Sequence, residues 1–325
     1  MEKIVNSICN VFIDENFKSF NDVICEHYND ENINKIYDKV LVITDTNVYN
    51  YHLEELVNNI KSKYIYKYII PDGEYSKSID IYEEIINYCI RINLSRKSLI
   101  IALGGGVVGD LAGFIASTYM RGIDLVQVPT SLLAQVDSSI GGKVGINLGN
   151  IKNIIGSFYQ PKFTYINTNT LRTLPYEEFI GGIAEVIKYA IIYDYEFLDY
   201  LIENSEQILN KENEFLKYLV TKCASIKVDV VGKDEKEGSL RKILNFGHTF
   251  GHGVEKLCNI SHGYAISIGM NMAFKLSLNE NLITKNYYDK FIKACTKYEL
   301  PLTFNLDEDI IKVLDIIKND KKNSF

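Results

Sequence analysis

The sequence predicts a two-domain protein, an α/β half built on a parallel sheet followed by a mainly α-helical half. Three observations predict it. Short apolar, β-branched runs alternate with helical periodicity through the first half, as strands joined by crossover helices do. Glycine is unevenly spread: only Gly73 precedes residue 104, ten fall between 104 and 149, and none follows Gly269. Such clustering marks backbone that must approach something closely or take unusual angles. Beyond LRTLP (Leu171–Pro175) helical periodicity dominates to about Lys318 and strand signals fade. The boundary is therefore placed near residue 172, giving domains 1–172 and 173–325. The length of 325 residues allows each half its own core.

Taken in order, residues 1–38 offer only Asn- and Asp-rich connectors around short apolar runs. VLVITD (Val40–Asp45) reads as a buried parallel strand ending in an acid. YIYKYII (Tyr64–Ile70) reads as a second strand running into PDGEYSK, a turn by composition. Ile79 to Ile92 has helical spacing, and SLIIALGGG is a third strand entering glycines. Gly104-Gly105-Gly106-Val107-Val108-Gly109-Asp110 then opens a helical pattern and satisfies GxGxxG, although the dinucleotide fingerprint normally follows the first strand. A helix start behind glycines is a good pyrophosphate site in either case. DLVQVPTS (Asp124–Ser131) is another strand. The stretch LLAQVDSSIGGKVGINLGNIKNIIGSF has a loop–helix texture suited to an anion cradle, and FTYINT (Phe163–Thr168) closes this half.

Composition narrows the function classes. A net charge of −7 argues against a nucleic-acid surface. No apolar run reaches the roughly 18 residues of a membrane span, and the first twenty residues lack a signal-peptide pattern. The six cysteines (Cys9, Cys25, Cys89, Cys223, Cys258, Cys295) form no CxxC pair and read as reduced cytoplasmic thiols.

Chemistry concentrates in LNFGHTFGHGVEKLCNISHGYAISIGM (Leu244–Met270), which holds three of the five histidines, His248, His252 and His262. A spacing of four puts His248 and His252 on one helix face, and a turn through Asn259, Ser261 and Gly263 could return the third. Spacing alone thus proposes three imidazoles on one divalent ion such as zinc. Upstream, GGIAEVIKYAII places Glu185 and Lys188 three apart among apolar residues, where an acid needs a partner or a metal. Glu185 is therefore a candidate for the third ligand. The run containing Lys227, Lys233, Glu237, Arg241 and Asn245 reads, taken alone, as a solvated face.

Six stretches then agree on one family. DGEYSK, GGGVVGDLAGFIASTYMRG, VPTSLLAQVDSSIGGKVGIN, KNIIGSFYQP, GGIAEVIKYA and LNFGHTFGHGVE, in this order, resemble the 3-dehydroquinate synthases of the sugar-phosphate cyclase superfamily. The resemblance implies a Rossmann-like NAD-binding half, an α-helical metal-binding half and an active site in the cleft. It implies conversion of 3-deoxy-D-arabino-heptulosonate 7-phosphate to 3-dehydroquinate and phosphate, with NAD and Zn²⁺ or Co²⁺ as cofactors. Its metal ligands fall on Glu185, His248 and His262, which reassigns His252 to proton transfer. Its nucleotide positions fall on Asp45, Asp72, Gly73, Glu74, Lys77, Gly105, Gly106, Val107, Val108, Gly109, Asp110, Thr130, Ser131, Thr170, Leu171, Arg172 and Thr173, with Lys143 and Lys152 nearby. Catalytic matches besides His252 are Asp137, Lys188, Arg241 and Asn245; substrate-binding matches are Arg121, Lys143, Asn153 and Lys227. In the family an arginine at the position of Arg121 reaches the neighbouring subunit's site, so a homodimer is implied.

The implied chemistry suits these residue types. A substrate carrying a carboxylate and a phosphate calls for several cations in an acidic chain. Transient oxidation by NAD acidifies a neighbouring hydrogen, phosphate leaves by β-elimination, and reduction, ring opening and an intramolecular aldol follow. Two departures from the family stand out. Its HGEAV reads here His262-Gly263-Tyr264-Ala265-Ile266, with tyrosine replacing an acid, and its sequence runs on where this chain stops at DKKNSF. Lys321 or Lys322 should match a lysine that binds the substrate's anionic end. Three alternatives remain at this level: another sugar-phosphate cyclase, a metal-dependent NAD polyol dehydrogenase, and an inactive homologue.

Overall fold

The computed structural model describes residues 1–149 and 151–304; Lys321 and Lys322 lie outside them. Two compact units emerge. The first comprises Met1–Leu174 together with Lys217–Lys236, and the second, among the described residues, Pro175–Leu216 and 237–304.

The first unit is a seven-stranded sheet. Its strands are β1 (Glu2–Val5), β2 (Asn10–Asp14), β3 (Val40–Asp45), β4 (Ile65–Ile70), β5 (Leu99–Gly104), β6 (Asp124–Pro129) and, after the hairpin strands β7 (Lys143–Leu148) and β8 (Ile151–Phe158), β9 (Phe163–Asn167). The order is β1-β2-β9-β6-β5-β3-β4, parallel except for the antiparallel β1–β2 pair. Strands β5 and β9 are buried along their whole length, as continuous apolar runs are when both faces of a sheet are covered.

The period-two alternation sorts side chains between the faces. Val40, Val42, Leu99, Ile101, Val126 and Phe163 pack with Phe20, Val23 and Ile24 of helix α1 (Phe20–His27). Leu41, Ile43, Ile100, Ala102 and Leu125 pack with Ile85 and Cys89 of α2 (Ile79–Arg91) and Leu111 and Ile115 of α3 (Gly106–Thr118). Winding reverses between β3 and β5: β4 lies outside β3, whereas β6 and β9 continue from β5 the other way. That switch point is where an open α/β sheet offers a ligand crevice at its carboxyl edge.

Two expectations change here. Residues 1–14 form the β1–β2 pair, which a short and largely exposed EKIV does not announce. The stretch expected as loop and helix is instead a short helical turn (Ala134–Ser138) followed by the β7–β8 hairpin. Gly145 and Gly156 face each other across that hairpin, and a Cβ on either would meet the opposite main chain at 2.7 or 2.5 Å. Close strand packing accounts for those two glycines.

The second unit contains, among its described residues, helices and no strand. Its principal helices are α4 (Tyr176–Tyr193), α5 (Tyr195–Glu203), α7 (His248–Cys258), α8 (His262–Asn279) and α9 (Lys285–Lys297). Helix α6 (Asn213–Lys233) contributes its residues from Lys217 onward to the first unit, where Asn6 Nδ2 donates to Val228 O at 2.8 Å. A single boundary near residue 172 does not capture this return of the chain.

Candidate active site

In the first unit, the segments expected to hold a nucleotide all follow carboxyl ends of parallel strands. Asp45 ends β3, residues 72–77 follow β4, Gly105–Asp110 follow β5, Thr130 and Ser131 follow β6, and residues 170–173 follow β9. Asp45 accepts hydrogen bonds from the backbone N–H groups of Asn47 and Val48, both at 2.9 Å. Burial nonetheless raises its carboxyl above the usual carboxylate range, and Asp72 nearby adds to this. Asp72 accepts from Thr46 Oγ1 and Asn47 Nδ2, each at 3.1 Å.

Lys77 is buried and already engaged. It donates to Asp110 at 2.7 Å and to Asn153, tying the turn after β4 to the glycine turn and the hairpin. Helix α3 begins behind Gly105, which offers no side-chain cap, so the first-turn N–H groups remain available to an anion. Val108 and Leu171 are fully buried apolar side chains, so a ligand would meet them through main chain. Thr170 accepts from Gln135 Nε2 at 3.0 Å, and Arg172 Nε donates to Asn169 Oδ1 at 3.3 Å. Thr173 Oγ1 donates to Thr170 O at 3.0 Å and lies 2.7 Å from His52 Nε2.

The substrate candidates divide between the units. Lys227, only 6% exposed, pairs with Asp137 in the first unit. Lys143 and Lys152 are exposed on the hairpin. Arg121 is exposed and sits at φ 69°, next to Met120 at φ 51°. In the second unit, Arg241 is 2% exposed within the turn Leu240–Asn245, and Asn245 Nδ2 donates to Glu237 Oε1 at 2.8 Å. The solvated-face reading therefore fails for Lys227 and Arg241, which are buried cations.

The metal-ligand candidates converge in the second unit. Glu185 and Lys188 lie one turn apart on α4, each about 1% exposed, and form an ion pair through Glu185 Oε2. Glu185 Oε1 is buried and meets no hydrogen-bond donor. Instead, His248 Nε2 and His262 Nε2 each lie 3.6 Å from it. Ligand atoms bonded to zinc at about 2.0–2.2 Å in a tetrahedron are about 3.3–3.6 Å apart. An orphaned carboxylate oxygen between two imidazole nitrogens at that spacing fits a divalent ion. His248 is the first residue of α7 and His262 the first of α8. His252, one turn along α7, is exposed; its ring centroid lies 5.3 Å from that of His248.

Close helix packing sets this geometry. A Cβ on Gly263 would lie 2.1 Å from Gly181 O, and one on Gly269 2.1 Å from Gly247 O. Only glycine lets α8 approach α4 and the start of α7 so closely.

The electrostatics prepare the ligands unequally. Burial raises the Glu185 carboxyl, but the Lys188 ammonium and the two imidazoles outweigh it and hold the group well below the carboxylate range. Burial pushes His248 down to about 4, so it is a neutral imidazole. Burial also lowers His262, yet the Glu185 and Glu255 carboxylates reverse the effect and raise it to about 9. Glu255 was not singled out from sequence. Its Oε2 lies 3.1 Å from His262 Nδ1, and its position seven after His248, on the same face of α7, is the signal that could have found it.

Comparison with known proteins agrees with these observations. Residues 67–181 match the 3-dehydroquinate synthase N-terminal family model, and residues 182–323 match the C-terminal one. The chain belongs to the 3-dehydroquinate synthase family. It is 47% identical over 292 residues to the 3-dehydroquinate synthase of Thermoanaerobacter pseudethanolicus, covering 88% of this chain and 81% of the relative. It is 45% identical over 315 residues to that of Caldanaerobacter subterraneus subsp. tengcongensis, covering 95% and 86%. Among solved structures, 2-deoxy-scyllo-inosose synthase complexed with carbaglucose-6-phosphate, NAD⁺ and Co²⁺ matches with a TM-score of 0.84 at 25% identity, over 100% of this chain and 88% of that one.

Proposed function

We propose that the protein is a 3-dehydroquinate synthase, converting 3-deoxy-D-arabino-heptulosonate 7-phosphate to 3-dehydroquinate and phosphate. The observation that carries this reading is the meeting of Glu185, His248 and His262 around an orphaned carboxylate oxygen, in a chain of this family. NAD⁺ and a divalent ion, zinc or cobalt, supply when bound the transient oxidation and the Lewis acidity that the reaction needs. A related cyclase complexed with NAD⁺ and Co²⁺ supports that choice.

The chain's own residues take the remaining roles. Lys188 keeps Glu185 ionised where burial alone would neutralise it. His252, exposed on the helix that also carries His248, exchanges protons with solvent. Within Gly105 to Asp110, the first-turn N–H groups of Gly106, Val107 and Val108 meet the cofactor's pyrophosphate. Thr130, Ser131 and residues 170–173 flank it at the neighbouring strand ends, and Asp45 and Asp72 to Lys77 at the others. Arg241, Lys227 and Lys143 supply cations for the substrate's carboxylate and phosphate, with Asp137, Asn153 and Asn245 as polar partners.

A homodimer belongs to the same reading. Leu148, Ile151, Ile154 and Phe158 of the hairpin and Met120 beside Arg121 are exposed apolar side chains that a second copy would cover. Ile154→Glu should shift sedimentation toward monomer. A cytoplasmic location is included: five of the six cysteines are buried thiols, as a reducing compartment keeps them, and no described helix is long and apolar enough to cross a membrane.

The test is incubation of Zn²⁺- or Co²⁺-loaded protein with NAD⁺ and the heptulosonate phosphate. Phosphate and 3-dehydroquinate should appear in equal amounts without net NADH. Accumulating NADH would point to a polyol dehydrogenase. Phosphate without carbocycle, or no turnover despite bound metal and NAD⁺, would overturn the reading.

A further inference from the structure

We propose that Glu255 is a positioning residue for the metal centre, its carboxylate fixing the tautomer and ring orientation that turn His262 Nε2 toward Glu185. The proposal rests on the ligand set argued above. A carboxylate only accepts hydrogen bonds, so the 3.1 Å contact holds an imidazole hydrogen on Nδ1, and an ion that displaces the proton from Nε2 finds that nitrogen's lone pair turned toward Glu185. On the other side of the same ring, Nε2 lies 3.6 Å from Glu185 Oε1. Both nitrogens of His262 are thus committed, one to a hydrogen bond and one to the ligand position.

The two imidazoles are secured differently. His248 Nδ1 lies 3.2 Å from Phe246 O, a main-chain acceptor that no side-chain substitution removes. Its side chain is 15% exposed, against 33% for His262, so surrounding packing does more to hold His248. His262 opens α8 behind Ser261, which makes no side-chain cap bond. Its ion pairs are with Glu185 and Glu255. The position where the family's acid is expected holds Tyr264, whose charged neighbours are Glu177 and Glu299. With spacing i, i+4 and i+7, α7 carries a ligand, the proton-exchanging histidine and the orienting carboxylate on one stripe.

The test compares metal-free wild type, Glu255→Ala and Glu255→Gln by Co²⁺ titration, following the visible ligand-field spectrum and NAD⁺ affinity. The alanine variant should bind Co²⁺ about 10- to 100-fold more weakly, the range for loss of such a partner. Its saturated spectrum should shift, and NAD⁺ affinity should not change. Glutamine should restore part of the affinity, because its amide oxygen still accepts from Nδ1. Unchanged Co²⁺ affinity and spectrum in the alanine variant would overturn the proposal. Failure of wild type to bind Co²⁺ at all would instead overturn the metal reading beneath it. Two ions per wild-type chain, the second lost in the variant, would replace it with a second cation site on His252, Glu255 and His262, which also lie close together. If the variants fail to fold, ¹⁵N-histidine spectra of Zn²⁺-loaded wild type decide: a proton on His262 Nδ1 supports the assignment, and one on Nε2 overturns it.

Discussion

The glycine turns of the sheet unit and the histidine cage of the helical unit hold their proposed ligands by opposite means. The turns present backbone N–H groups behind Gly105, and the side chains around them are engaged with one another, as Lys77 is with Asp110 and Asn153. The cage depends on three side chains, one of them 63 positions from the next in sequence (248 − 185 = 63), brought together by helices packed glycine against backbone. Main-chain recognition should therefore degrade gradually on substitution, and the cage all at once.

Five substitutions would break or sharpen that contrast. Glu185→Gln should have the largest effect, lowering turnover by at least about 10³-fold, equivalent to about 4 kcal/mol of transition-state stabilisation, with loss of metal affinity measured by equilibrium dialysis. Gly263→Ala comes next, because its Cβ would meet Gly181 O at 2.1 Å. Overpacking of this kind costs about 1–3 kcal/mol, and weaker metal binding should accompany it. Gly181→Ala, whose Cβ would meet nothing closer than 3.9 Å, should leave both quantities near wild type; equal damage from the two would refute the packing argument.

In the sheet unit, Gly105→Ala should weaken NAD⁺ binding about tenfold by crowding the pyrophosphate. Its thermal stability should hold, since the nearest atom to the new Cβ is Ser131 Oγ at 3.4 Å. His52→Gln should give the smallest change. Burial lowers His52 to about 4, whereas an unfolded histidine titrates near 6.5. The unfolded chain thus binds more protons between those values, and wild type loses stability as pH falls through that window. The glutamine variant should lose less between about pH 7 and pH 5. The difference should be about 1 kcal/mol after allowing for partial solvent access, read from melting curves.

What the sequence revealed tracks burial. Strands β3, β5, β6 and β9 were legible because covered faces require unbroken apolar runs, and GGGVVGD was legible because the turn needs glycine in place. The β7–β8 hairpin was not, because its exposed strand mixes Ile151, Ile154 and Phe158 with lysine, asparagine and glycine. Lys227 and Arg241 looked solvated because burial is invisible to local spacing, and the acid paired with Lys227 lies 90 residues away. Helical spacing alone favoured His252 as a ligand. The structure places the two histidines differently: His252 is exposed one turn along α7, and His262 Nε2 lies 3.6 Å from Glu185 Oε1 where α8 starts, a tertiary placement that helical spacing does not carry. Glu255 was within reach of spacing, had the stripe from His248 been followed one turn further.

The glycine contacts of α8 also bear on selectivity. Glycine contacts hold α8 against Gly181 and Gly247, so ion binding should complete a cavity shaped by helix packing instead of driving folding, unlike the small domains that collapse only around metal. Stripping the ion with a chelator should leave the helical signal intact, and calorimetry of reloading should show a heat-capacity change near zero, since little apolar surface is buried in the process. An opening of fixed width then discriminates among divalent ions by radius and preferred geometry, with helix spacing as the gauge.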